Sequence, residues 1–140
     1  MVWDSHIEGH TEKGKIKQLW FSGVCLTVCS PELSKLSSVC TVYFSILNTG
    51  PKAIGIGAQG TSLSIVQANS TKIIGSNRLT SGETGKLLPQ TFLVDRGMDV
   101  KVLADFGFIP KFTEAFFVLQ AKRILAPQIS FQIPFLNGFD

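Results

Sequence analysis

The chain has 140 residues, 44% of them hydrophobic and only 16% charged, with 11 phenylalanines and a formal net charge of +3. That composition is far from a disordered chain, and the length suits one domain that can bury roughly two thirds of its unfolded surface without disulfides. Basic residues are scattered apart from Lys13, Lys15 and Lys17, without the basic stripe and interleaved aromatics of a nucleic-acid footprint, and no window holds the roughly 20 apolar residues of a membrane-spanning helix.

Residues 1–14 read as a mobile arm or a weak edge strand. Within them Asp4, His6, Glu8 and His10 recur at every second position, the only metal-like constellation in the chain. On an extended strand consecutive members stand roughly 7 Å apart, too far for all four to reach one ion, so a solvated arm is expected and no metal. With both histidines confined there, no Cys-His or Ser-His catalytic arrangement can be drawn in the body of the domain.

From Lys15 to Cys29 the chain becomes extended and apolar. The basic residues before Leu19–Val28 give it a faint likeness to a secretory signal, but its alternation is that of a strand and no targeting segment is read from it. Pro31 ends the run, and Ser30 to Lys35 reads as one helical turn with Ser30 as N-cap and Pro31 at its first position. The three cysteines, Cys25, Cys29 and Cys40, do not make a closed framework. Cys25 and Cys29 share a parity and lie roughly 13 Å apart along a strand, too far to bridge. Pairing of Cys40 with either stays open, and three reduced thiols acting as small hydrophobes is the preferred reading.

The stretch Ser37 to Ala58 organises the rest. Cys40, Val42, Phe44 and Ile46 alternate with Thr41, Tyr43 and Ser45, the period of a half-buried strand. Asn48-Thr49-Gly50-Pro51 breaks the run with turn residues. A second β-branched run follows, so a hairpin is expected. Gly55 to Gly60, GIGAQG, satisfies the dinucleotide fingerprint in its letters, but a strand follows it instead of a helix, and no acidic residue occurs between Gly60 and Glu83. Glycines permitting a bulge or close sheet packing are the expectation, and no cofactor.

Thr61 to Gly75 reads as a second hairpin turning at Asn69-Ser70. Asn69-Ser70-Thr71 also has the N-glycosylation form, which matters only in a secreted eukaryotic protein. Ser76 to Gln90, dense in Gly, Ser, Thr and Asn, reads as the longest surface loop and the place for a binding loop. Its SGETGK segment has the wrong glycine spacing for a phosphate loop, with Leu87 where a magnesium-binding hydroxyl would stand. Thr91 to Val94 resumes a strand, Asp95-Arg96-Gly97 turns it, and Met98 to Phe106 alternates again. Ala115 to Leu125 fits a strand or a short helix, with strand preferred for its aromatic and β-branched content. Ile129, Phe131 and Ile133 form the last strand before Pro134. Asp95, Asp99, Asp105, Glu83 and Glu114 offer no pair that the sequence selects for acid-base work.

About eight strands with no long amphipathic helix predict an all-β fold, an antiparallel two-sheet β-sandwich, with a small β-barrel as the alternative. The run VYFSILNTG and the later RGMDVKVLADF resemble, at the level of pattern, the strands and turns of immunoglobulin-like domains. The domain is expected over 15–134, leaving residues 135–140 as an apolar tail. Phe135, Leu136 and Phe139 in that tail are the candidate partner-binding residues. The expected function is non-catalytic: a structural or protein-interaction protein, a subunit or decoration protein of a larger assembly, bound to a protein partner or to copies of itself. The alternative is a monomeric binding module or inhibitor that recognises a protein through loop 76–90.

Overall fold

A computed structural model describes residues 9–13, 16–29, 32–33, 39–76, 78–110, 114–124 and 127–136. Thirteen strands lie within them: β1 (Gly9–Lys13), β2 (Ile16–Phe21), β3 (Val24–Cys29), β4 (Glu32–Leu33), β5 (Val39–Asn48), β6 (Ile54–Gly57), β7 (Thr61–Gln67), β8 (Ser70–Gly75), β9 (Arg78–Ser81), β10 (Thr91–Val94), β11 (Asp99–Phe108), β12 (Glu114–Arg123) and β13 (Ile129–Leu136). They form two open antiparallel sheets packed face to face, a β-sandwich and not a closed barrel. The first sheet runs β1-β2-β3-β5-β11-β9, with β4 also on β5; the second contains β10, β6, β12, β7 and β8, with β13 on β12.

The alternation read from sequence decides which side chains enter the core. Val42, Phe44 and Ile46 of β5, Val102, Ala104 and Phe106 of β11, and Phe117, Leu119 and Ala121 of β12 are all buried. The two sheets meet through an aromatic cluster in which the Phe117 ring lies 5.2 Å from Phe44 and 6.3 Å, edge on, from Phe106. Such tilted and edge-to-face geometries suit the ring quadrupoles.

Several local expectations are corrected. Lys15 to Cys29 is not one extended run, because Ser22 (φ 50°) and Gly23 (φ 79°) make a two-residue turn that pairs Phe21 with Val24. Positive φ at both turn residues matches the right-handed strand twist, and Ser-Gly tolerates it. Glu32 and Leu33 pair with Thr41 and Cys40 as a short strand, where a helical turn is expected from the sequence; Ser30, Pro31, Ser34 and Lys35 lie outside the described residues. Asn48-Thr49-Gly50-Pro51 is not a hairpin turn either. β5 pairs with β3, β4 and β11, whereas β6 pairs with β10 and β12, so this turn carries the chain from one sheet to the other.

That crossing is organised by Asn48, 1% exposed. Its Nδ2 donates to the carbonyls of Lys52 (2.8 Å) and Val94 (2.9 Å), and its Oδ1 accepts from the Gly50 N–H (2.9 Å). Its own N–H donates to the Met98 carbonyl and its carbonyl accepts from the Gly97 N–H. One amide therefore holds two separate crossings together, after β5 and after β10. The Thr49 N–H and hydroxyl both donate to the Gly23 carbonyl, which docks the β2–β3 turn against the same end. Arg123 clamps that end from the second sheet, donating to the Ser22 hydroxyl (3.0 Å) and the Pro127 carbonyl (2.7 Å).

Candidate functional site

The tail residues singled out in the sequence are placed differently from expectation. The last strand does not stop at Pro134, which pairs with Phe116, but runs to Leu136, which pairs with Ala115. Phe135 is the extra residue of a bulge between these two pairs. A proline is tolerated here because β13 is an edge strand. Phe139 lies outside the described residues, as do Asp4, His6 and Glu8; β1 occupies the part of the expected arm that contains His10. No cluster of three or more potential metal ligands occurs among the described residues.

Segment 76–90 is more ordered than a loop. After β8 the chain leaves the second sheet, adds β9 to the first sheet beside β11, turns, and returns to the second sheet as β10. Ser81 organises the turn: its hydroxyl accepts from the N–H groups of Glu83 and Thr84, and its N–H donates to the Lys86 carbonyl. The returning arm then pairs with β9 through Leu88 N–H to Leu79 carbonyl, 2.9 Å.

This excursion arches over the GIGAQG stretch, so two motifs that are separate in sequence become neighbours. β6 ends at Gly57, Ala58–Gly60 make a 3-10 turn, and β7 follows. A Cβ at Gly57 would stand 2.7 Å from the Gln90 carbonyl oxygen, and one at Gly60 would stand 2.8 Å from that of Gln120. Gly57 and Gly60 thus serve close backbone packing, one of the roles expected of these glycines from the sequence. Between the departing and returning arms lies an open groove of about 670 Å³ lined by Gln59, Ser76, Arg78, Leu79, Leu87 and Pro89 among others. Arg78 faces Asp105 at 3.8 Å, a partly exposed pair of little energetic weight.

The second candidate is the outer face of the second sheet, which the sequence did not single out as a surface. Directly paired residues share a face, so the register sets out its rows. One row is Phe116, Ser64 and Ile73; the next is Gln132, Val118, Ser62 and Gly75; Gln120 and Ser130 make a third. Val66 and Thr71 extend the face to Glu114, and Lys122 on β12 marks the opposite end. Between these two charged residues the described face carries none, although 16% of the chain is charged. Ile73 is 73% exposed on it. Two-residue periodicity held the signal for this face: SLSIV and FFVLQ keep their outward positions uncharged.

Two of the three thiols, Cys25 and Cys40, are buried. All three cysteines are free. Cys40 faces the core, where burial and, less strongly, the Asp105 charge push its thiol up to about 12. Burial also raises Cys25, against the lowering effect of its contact with the Thr27 hydroxyl. Thiols held in the neutral form are poor nucleophiles. No helix among the described residues is long and apolar enough to cross a membrane. No protein-family model matches the chain, and a comparison with curated protein sequences finds no match.

Proposed function

We propose that the chain is a non-catalytic structural or protein-interaction domain, a subunit of a larger assembly, and that it makes contact through the outer face of its second sheet. The observation that carries this reading is the uncharged stretch of that face with Ile73 standing 73% exposed on it. Leaving such positions without charge costs solubility, and a contact surface is the usual reason for it. Phe135 and Leu136 belong to β13 of the same sheet.

The test is sedimentation of the full chain over a wide concentration range, beside Ile73→Glu. Assembly beyond the monomer is expected, weakened about tenfold or more in Ile73→Glu, while the urea midpoint stays unchanged, since an exposed side chain contributes little to folding. A monomer at every concentration overturns self-assembly. A second reading, a binding module for a protein partner, is favoured by the groove of about 670 Å³ beneath segment 76–90, a volume typical of binding clefts. Leu87, 67% exposed at that groove, is the first residue to substitute there.

A further inference from the structure

Every open sheet must deal with its edges, because unpaired N–H and C=O groups invite another strand. Besides the two-residue β4, five strands end a sheet among the described residues, and four of them carry a recognised protection. β9 is covered by the returning arm of its own hairpin, through Thr80 and Leu87. β13 contains Pro134 and a bulge at Phe135. β10 has four residues and follows Pro89. β1 includes two charged residues, Glu12 and Lys13, among five.

The fifth, β8, has none of these devices beyond the single charge of Lys72. Its six residues pair with β7 in unbroken register from Gln67–Ser70 to Ser62–Gly75. It has no proline and no bulge, and five of its residues are exposed. An unbroken, exposed edge of this length is a template for strand addition.

We propose that β8 pairs antiparallel with β8 of a second copy of the chain. The inference rests on the reading of the chain as an assembly subunit and names the partner and the register. Two identical antiparallel edges pair about a two-fold axis perpendicular to the sheet, so the axis passes through a residue pair and directly opposed positions share a face. Centring on Lys72 sets like charges against each other, which is unfavourable. Centring on Ile73 sets Ile73 against Ile73 of the second copy, Lys72 against Ile74 and Thr71 against Gly75. At Gly75 no atom lies within 4 Å of where a Cβ would stand, which leaves room for the opposing threonine. The result is one continuous sheet, β13-β12-β7-β8 from each copy, in which the two uncharged faces merge into a single platform.

The test uses the full chain as Ile73→Cys, with Thr71→Cys and the unsubstituted chain as references, under mild oxidation, read by non-reducing mass. Opposed Cα atoms at a two-fold centre stand roughly 4.5–5.5 Å apart, within disulfide reach. Position 71 faces position 75, so the thiols that Thr71→Cys places on the two copies stand roughly 13 Å apart along the strands. Ile73→Cys is expected to cross-link into a dimer several-fold more completely than either reference. Equal cross-linking of Ile73→Cys and Thr71→Cys overturns the register. If sedimentation finds the unsubstituted chain assembled but Ile73→Cys does not cross-link, β8 pairing is wrong and the assembly reading stands. If the chain is monomeric and uncross-linked, both fall.

Discussion

Replacing Asn48 by alanine removes three side-chain hydrogen bonds at a residue 1% exposed. They are not equal. The Val94 carbonyl is bonded in a buried setting, and orphaning it costs about 1–3 kcal/mol. Lys52 and Gly50 are only partly buried, so water can replace their partner at about 0.5–1 kcal/mol each. The sum is about 3 kcal/mol, a large share of the roughly 5–15 kcal/mol that stabilises a domain, and it shifts Tm by about 10 °C in a chain of this size. Urea unfolding with an unchanged m-value is the assay. Asn48→Asp separates bonding from volume: it keeps the shape and the acceptor for Gly50, but puts an anionic oxygen between two carbonyl oxygens. It is therefore expected to destabilise at least as much as alanine. A loss below about 1 kcal/mol in Asn48→Ala, or a milder effect of Asn48→Asp, refutes the assignment of this amide as the tie between the crossings.

The glycines of GIGAQG should separate by position. Gly57→Ala and Gly60→Ala place a Cβ under 3 Å from a backbone oxygen and should cost about 1–3 kcal/mol, whereas the nearest atom to a Cβ at Gly55 is 3.7 Å away, so Gly55→Ala should leave the urea midpoint nearly unchanged. Phe117→Ala removes a fully buried ring that touches both Phe44 and Phe106 and should cost about 3–5 kcal/mol in the same assay. Cys40, raised by burial to about 12 from 9.0, holds its proton in the folded chain and, above pH 9, releases it on unfolding. Its contribution is therefore complete below pH 9 and is lost as pH rises from 9 toward 12, by up to about 1.4 kcal/mol per pH unit. Cys40→Ala should flatten that alkaline decline, and the native thiol should resist alkylation at about pH 8.

Alternation made the strands legible. The inward residues of β5, β11 and β12 follow the two-residue period letter by letter, and the turn between β7 and β8 falls at Ala68-Asn69, one residue before the expected Asn69-Ser70. Partnership was not legible, because turn residues signal that a chain reverses without saying which sheet it enters. Asn48 to Pro51 therefore looked like a hairpin and is a crossing. Ser22-Gly23 was hidden in an apolar run, since two residues suffice for a turn when both accept positive φ. Pro134 misled about the end of β13, because its exclusion from ladders applies to strands paired on both sides. The uncharged face required the register of β7, β8 and β12 together, information that is spread from Thr61 to Arg123.

β5 joins three partners, and one of them comes from far along the chain: Leu47 pairs with Asp99 and Val39 with Phe108. β12 likewise reaches back to β7, Glu114 to Val66. Local hairpins such as β2–β3 and β7–β8 can form within about 10 µs, but these central ladders require a long loop to close before any contact rewards it. Such a topology belongs with β-sandwiches that fold in milliseconds to seconds. Until β11 arrives, β5 stands with its apolar residues and one flank unpaired, so the interval before that closure is when the newly made chain is most exposed to association through the wrong strand.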